Sequence, residues 1–387
     1  MPVIDVPQPA FMEEEEIAIF ADAVGKFYAQ HAPLKRVEKW REDGMVEREF
    51  WREAGAAGLL GVSVPTEYGG HGGDFRHDMV VITKQGEYGV DGFGASLHNT
   101  IILPYLVRHG TEEQKQKYLP RLVSGDLVSA IAMSEPDAGS DLQSIKTTAL
   151  KDGDGYRLNG SKTWISNGQL ADFIIVVAKT DPAEGAKGIS LLLLETEGAE
   201  GFSRGRKLDK IGLDAQDTSE LFFDNVFIPA DNLLGGVEGR GFYQLMGELP
   251  QERLVIAIGA MTTIEKALDT TVEYVKQRKA FGKTIWDFQN TQFVLADLKA
   301  KATAAKVFLN DCTAKVLKGE LDVTTASIAK YWVTELQGEV VDKCLQFHGG
   351  WGYINEYAIA KMYRDSRITR IFGGSNEIMK MLIARSM

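Results

Sequence analysis

Residues 152–168 read Asp152-Gly153-Asp154-Gly155-Tyr156-Arg157-Leu158-Asn159-Gly160-Ser161-Lys162-Thr163-Trp164-Ile165-Ser166-Asn167-Gly168, and Phe173-Ile174-Ile175-Val176-Val177 follows closely. Turn dipeptides recur here between short runs of aromatic and β-branched side chains, which fit a pleated sheet better than a helix. The same texture continues from about residue 128 to 236 and includes Glu220-Leu221-Phe222-Phe223. It predicts a small antiparallel β-domain of barrel or sandwich type. On both sides the period changes to that of a helix. Glu14–Tyr28 and Arg48–Ala57 place apolar residues at helical spacing before it, and Glu252–Arg278, Thr291–Lys318 and Thr325–His348 do so after it. The expected organisation is α–β–α, an α+β fold. A helical domain spans 1–127, the β-domain 128–236 and a second helical domain 237–387.

The 387 residues suffice for two or three cores, and 44% hydrophobic with 25% charged residues is ordinary for a globular chain. A formal net charge of -11 argues against nucleic acid as the main partner. Cys312 and Cys344 are too few for a disulfide framework. The acidic run Glu13–Glu16 does not suit a secretory or Arg-rich leader. These features point to a cytoplasmic protein of bacterial type, or to the mature form of a mitochondrial one. Apolar runs such as Ile189–Leu194 are too short to span a bilayer.

Several segments carry candidate chemistry. In Met133-Ser134-Glu135-Pro136-Asp137-Ala138-Gly139-Ser140-Asp141, Pro and Gly make an open turn whose N–H groups can face an electron-rich ligand. Read alone it is an ordinary surface turn. Arg278-Lys279-Ala280-Phe281-Gly282-Lys283 reads alone as a basic helix end complementing the dipole. Gly235-Gly236-Val237-Glu238-Gly239-Arg240-Gly241 has the wrong spacing for a dinucleotide fingerprint, so a nicotinamide-binding domain is not expected. The histidines show no metal-ligand spacing, and no metal site is expected.

Two further segments, Pro250-Gln251-Glu252-Arg253-Leu254 and Arg370-Ile371-Phe372-Gly373-Gly374-Ser375-Asn376-Glu377-Ile378-Met379, resemble the acyl-CoA dehydrogenase family together with the Met133 and Trp164 segments. The resemblance covers nearly the whole chain. It implies that family's fold, with a C-terminal four-helix bundle, and FAD as cofactor. It implies that Ile131, Met133, Ser134, Gly139 and Ser140 line one face of the flavin, with Trp164, Ile165 and Ser166 beside it. Arg278, Phe281 and Gln289, with Gln346, Gly349 and Gly350, would hold the pyrophosphate and adenosine of an FAD bound mainly by a neighbouring subunit. Ser375 and Glu377 would complete the cofactor set. Ser140, Pro250, Gln251, Arg253, Phe372 and Gly374 would contact the acyl-CoA. A dimer of dimers and an electron-transfer flavoprotein as electron acceptor are further implications.

The catalytic carboxylate is in the less common position. Most of the family carries a Glu where this chain has Gly373, whereas the isovaleryl-CoA and long-chain branch carries it on an earlier helix, matched by Glu252. Proton abstraction α to a thioester needs a carboxylate within reach, with a pKa raised by burial. By position alone Glu252 reads as a solvated first-turn Glu and Arg253 as a surface residue. With the flavin segments, Glu252 becomes the expected base and the Gly373 N–H the donor to the thioester oxygen. Gly373 would also vacate the volume through which Glu252 approaches. The expected reaction is α,β-dehydrogenation of an acyl-CoA to a trans-2-enoyl-CoA. Medium-to-long straight chains are favoured, and branched or isoprenoid acyl groups are the alternative. An oxidase, a thioester lyase or a non-catalytic flavin-binding scaffold on the same fold are the other readings.

Overall fold

The computed structural model describes residues 2–387. The first part is helical: α1 (Glu15–His31), α2 (Leu34–Asp43), α3 (Arg48–Ala56), α4 (Phe75–Tyr88), α5 (Ala95–Leu97), α6 (Leu103–His109) and α7 (Glu112–Val123). Capping boxes start α4 at Asp74 and α7 at Thr111, each satisfying two otherwise orphaned N–H groups. A π-helical turn, His98–Ile102, joins α5 to α6. It is pinned from inside. His98 bonds Ser129 Oγ (2.7 Å) and the Leu122 carbonyl (3.0 Å), and Asn99 accepts from Gly61 N and donates to Leu59 O. Such widened turns recur at functional sites, and this one sets the direction of α6.

Seven strands follow: β1 (Ser129–Ala132), β2 (Thr148–Asp152), β3 (Gly155–Ser166), β4 (Phe173–Lys179), β5 (Ile189–Glu195), β6 (Phe202–Lys207) and β7 (Thr218–Pro229). They form one sheet in the order β1-β4-β2-β3-β7-β6, with β5 also on β4. The sheet departs from the purely antiparallel expectation, because β1 runs parallel to β4, Ser129 opposite Phe173. The chain reaches β1 directly from α7, so β1 is no hairpin partner of β4. β4 and β5 are buried on both faces. Phe173, Ile175 and Val177 join the core under α6 and α7, while Ile174, Val176 and Ala178 face Leu158, Leu221 and Phe223 within the sheet domain. That double burial explains the continuous apolar run.

The last part holds α8 (Gly241–Gln277), the hairpin β8 (Lys279–Ala280) and β9 (Lys283–Thr284), α9 (Gln289–Leu317), α10 (Val323–His348), α11 (Ala358–Ser366) and α12 (Asn376–Ala384). Three long helices share a core that includes Leu254, Ile264, Leu298, Val333 and Val340. In place of a fourth long helix, the nine-residue α11 and α12 pack along α10. α8 begins eleven residues before Glu252 and runs through Pro250. The expectation that Glu252 lies in a first helical turn is therefore corrected. Phe242, Leu245, Met246 and Leu249 already carry the apolar period, and their packing outweighs the interior proline. Among the described residues, no helix is long and apolar enough to cross a membrane.

Candidate active site

A cavity of about 790 Å³ lies where α4, the α5–α6 segment, the edge of the sheet, α8 and the 365–385 segment meet. Its longest wall is α8. Glu252, Ile256, Gly259 and Thr263, spaced four, three and four residues apart, share one helical face, and all line the cavity. From Phe242 to Lys266 this wall extends about 36 Å at 1.5 Å per residue.

Glu252 is buried, and its Oε1 accepts a hydrogen bond from the Tyr105 hydroxyl at 2.9 Å. Burial pushes its carboxyl from 4.5 up to about 7, and the neighbouring Glu248 carboxylate adds to the rise. The Tyr105 bond and Arg253 pull the other way. Glu248, one turn earlier and also buried, is ion-paired with Arg108 and lies 2.9 Å from His109 Nε2, within hydrogen-bond distance. The cavity thus holds a carboxyl poised near neutrality, with its second neighbour already compensated.

Gly373, with φ +63°, and Gly374, at +86°, line the cavity as well. A Cβ built on Gly373 would stand 2.3 Å from Ile256 Cδ1, the movable tip of that side chain, so the positive φ is the firmer reason for glycine here. The volume expected to be vacated at this position is taken up by Ile256. Phe372 N donates to the Ile368 carbonyl (3.1 Å), and backbone pairing resumes only at Met379 N. The Gly373 N–H has no backbone acceptor among the described residues.

A further wall is formed by Ile131, Met133, Ser134, Gly139 and Ser140 with Trp164, Ile165 and Ser166. A bulge between Lys162 and Ile165 turns Trp164 outward at φ +58°. The indole lines the cavity yet is 58% exposed. Bulges and positive-φ residues concentrate at functional sites, and a large exposed apolar ring facing a cavity suits a flat aromatic ligand. Gly139 leaves open space, since an added Cβ would meet nothing within 4 Å. The loop is braced from below by a buried ion pair, Lys162 with Glu135 (2.9 Å). Lys162 also donates to the Met133 carbonyl, and Glu135 accepts from the Lys146 and Thr147 amides. These residues fit an isoalloxazine ring.

Other expected site residues lie elsewhere. Arg278, Phe281, Gln289, Gln346, Gly349 and Gly350 are exposed and do not line the cavity. They gather at one end of the helical bundle, where the Tyr274 ring stacks on His348 (4.2 Å). Arg278 is 26 residues from Glu252, about 39 Å along α8, so one chain cannot bring both to the same spot. Phe281 is 94% exposed at φ +53° on a two-residue hairpin tip with Gly282 at +81°.

Four more of the expected residues lie outside the cavity, and Arg253 lies deeper than its surface reading. Pro250 and Gln251 do not line the cavity. Gln251 turns toward the π-turn and α6 instead, donating to the Thr100 carbonyl (2.9 Å) and accepting from Arg108 (2.8 Å). Ser375 and Glu377 are likewise outside it, because the Ser375 hydroxyl caps α12 and Glu377 points to solvent. Arg253 is not a surface residue. It is buried beside Glu252 with Nη1 3.5 Å from Ser327 Oγ, and its Nε finds no partner among the described residues.

Sequence reading missed Tyr105, which sits in the apolar run Ile101–Leu106 and reads there as core. It also missed Ile256, Gly259 and Thr263. Their four- and three-residue steps from Glu252 were the available signal.

Three family models match the chain: "Acyl-CoA dehydrogenase, N-terminal domain" over residues 14–126, "middle domain" over 130–226 and "C-terminal domain" over 239–387. The chain is 48% identical over 369 residues to the mitochondrial long-chain specific acyl-CoA dehydrogenase of Mus musculus, covering 95% of this chain and 85% of that protein. To the mitochondrial isovaleryl-CoA dehydrogenase of Solanum tuberosum it is 40% identical over 371 residues, covering 95% and 89%. Among solved structures, the acyl-CoA dehydrogenase from Geobacillus kaustophilus superposes with a TM-score of 0.94 at 46% identity, over 96% of this chain and 98% of that one.

Proposed function

The chain belongs to the acyl-CoA dehydrogenase family, FAD-dependent oxidoreductases acting on CH–CH bonds, and from that premise we propose that Glu252 is its catalytic base and straight-chain fatty acyl-CoA its substrate. The observation that carries the assignment of the base is a buried carboxyl near pKa 7 that lines the same cavity as the Gly373 turn. In this reading Glu252 takes the α-proton, and the Gly373 N–H donates to the thioester oxygen as negative charge develops there. FAD, bound against the Met133–Ser134 and Trp164–Ser166 wall, supplies the acceptor for the β-hydrogen as hydride. The wall's apolar side chains exclude water while the proton moves. The product is a trans-2-enoyl-CoA.

Chain length is read from α8. Beyond Glu252 the cavity wall continues about 10 Å along α8 to Gly259 and Ala260, and a Cβ added at Gly259 would meet nothing within 4 Å, which marks a corridor there. Phe93 and Leu97 add apolar lining, and Arg41, Asp91 and Lys266 also line the cavity. A corridor of this depth supports medium-to-long straight chains, as does the 48% identity to the murine long-chain enzyme. The exposed Arg278, Phe281, Gln289, Gln346, Gly349 and Gly350 support a cofactor site completed by a second chain, hence a dimer of dimers. We assign electron-transfer flavoprotein as the acceptor and the cytoplasm as the compartment on the same terms.

The test is an anaerobic titration of the purified holoprotein with acyl-CoAs of graded length, following flavin absorbance. Straight C8–C16 thioesters should bleach the parent and leave Glu252→Gln oxidised. Bleaching by branched thioesters alone would move the substrate to that class, and rapid peroxide formation in air would favour an oxidase. No bleaching at all would end the dehydrogenase reading.

A further inference from the structure

Lys330, on α10, is fully buried and has no carboxylate in ion-pair contact among the described residues. An ammonium placed so deep is costly unless its protons are well used. They go to one place: Nζ donates to the Gly374 carbonyl (2.7 Å) and to Asn376 Oδ1 (2.9 Å). Both acceptors belong to the Gly373–Asn376 turn. Its two consecutive glycines at positive φ have no side chains with which to anchor themselves. Asn376 is buried too, donating to Thr334 Oγ1 (3.1 Å) and Glu335 Oε1 (2.8 Å). The charged groups acting on Lys330 are Arg253 from α8, Glu335 on its own helix and Glu377 on α12.

We propose that Lys330 is a positioning residue for the thioester-oxygen site: it grips the Gly374 carbonyl, so aims the preceding Gly373 N–H, and sets a buried positive charge behind that donor. The inference rests on the function proposed above. When the α-C–H bond breaks, the proton passes to the Glu252 carboxylate and the electron pair spreads onto the thioester oxygen. A fixed donor backed by a cation favours that charge and does little for the neutral ground state. Lys330 therefore acts on kcat through Gly373 and touches no substrate itself.

The experiment compares holoenzyme carrying Lys330→Met with Thr334→Val, which removes a bond to the same Asn376 but none to Gly374. Lys330→Met should lower kcat about 10²-fold with KM within about threefold, the size seen when one oxyanion donor is lost. Thr334→Val should stay within about threefold of the parent. A second readout needs no turnover. Bound 3-oxoacyl-CoA enolises in the site, and its apparent pKa, followed by enolate absorbance, should rise by about one unit or more in Lys330→Met. Should that variant fail to fold, Lys330→Gln keeps an uncharged donor about one bond shorter and should also lose kcat. Parental kcat and enolate pKa in Lys330→Met or Lys330→Gln would overturn the proposal, as would equal losses in Thr334→Val. Parent protein that no acyl-CoA bleaches would instead bring down the functional reading, and this inference with it.

Discussion

Glu252 sets opposite requirements for stability and for chemistry. A shift from 4.5 to about 7 means that the folded protein holds this proton more tightly than the unfolded chain does. Its stabilising contribution is complete below about pH 4.5 and is lost as pH rises through 7, a difference of about 3 kcal/mol. Glu252→Gln has no charge to bury. It should therefore be more stable than the parent at pH 8 by up to about 3 kcal/mol, with the gap closing toward pH 4.5, as read by denaturant unfolding at both pH values. The same substitution should cut kcat by about 10³-fold, within the usual range for a lost general base. Catalysis needs the carboxylate, so kcat/KM of the parent should rise with pH through about 7. Tyr105→Phe removes the bond that lowers the Glu252 pKa, and the acidic limb should move upward by up to about one unit. An acidic limb that stays in place in Tyr105→Phe would mean that the 2.9 Å contact does not tune the base.

Along the elements, the sequence carried the frame well and the tertiary turns poorly. The turn dipeptides of 152–168 and the helical periods flanking them outlined an α–β–α order, and the resemblance singled out Glu252 and Gly373, which both line the cavity. What stayed hidden depends on packing between distant segments. The π-turn at His98–Ile102 leaves no periodic mark of its own, so Tyr105 looked like core. Pro250 masked the first three turns of α8, and with them the burial of Glu252 and Arg253. Gly373 was legible as a glycine that keeps its N–H, but not as a glycine jammed against Ile256. That contact changes an element-scale prediction. Moving the base by Glu252→Gly with Gly373→Glu should give little turnover, because the new Cβ crowds Ile256 Cδ1 at a backbone position whose φ of +63° already strains any side chain. Adding Ile256→Ala should raise turnover of the swapped enzyme at least tenfold. Failure of the triple variant to exceed the double one would show that backbone strain at φ +63°, not space, forbids the exchange. On the same helical face, Gly259→Val should shift the best substrate to shorter chains and leave C4–C6 turnover nearly unchanged, because the added methyls enter the corridor two turns beyond the base.

At the scale of the whole molecule, the cavity gathers only some of the residues proposed to hold the cofactor. The others stand at an end of the bundle some 39 Å away along α8. Phe281 makes the point most sharply. A two-residue hairpin with positive φ at both central positions favours Asn-Gly, and a fully exposed Phe satisfies neither that preference nor its own hydrophobicity. Within one chain its ring meets Phe288 edge-on, at 6.3 Å between centroids, and is otherwise left in solvent. A second chain that covers the ring, with FAD lying between the two, would gain an aromatic contact worth about 0.5–1.5 kcal/mol beyond its buried area. Phe281→Asn should therefore relax the hairpin, leaving secondary structure intact, while FAD retention during dilution falls about tenfold and the assembled mass shifts downward. Arg278→Ala should weaken FAD retention as well, but with the assembly preserved if its fork faces phosphate rather than protein. Light scattering combined with flavin fluorescence across a dilution series separates the two effects. Parental FAD retention in both variants would place the cofactor wholly within one chain and remove the reason for these residues to be exposed.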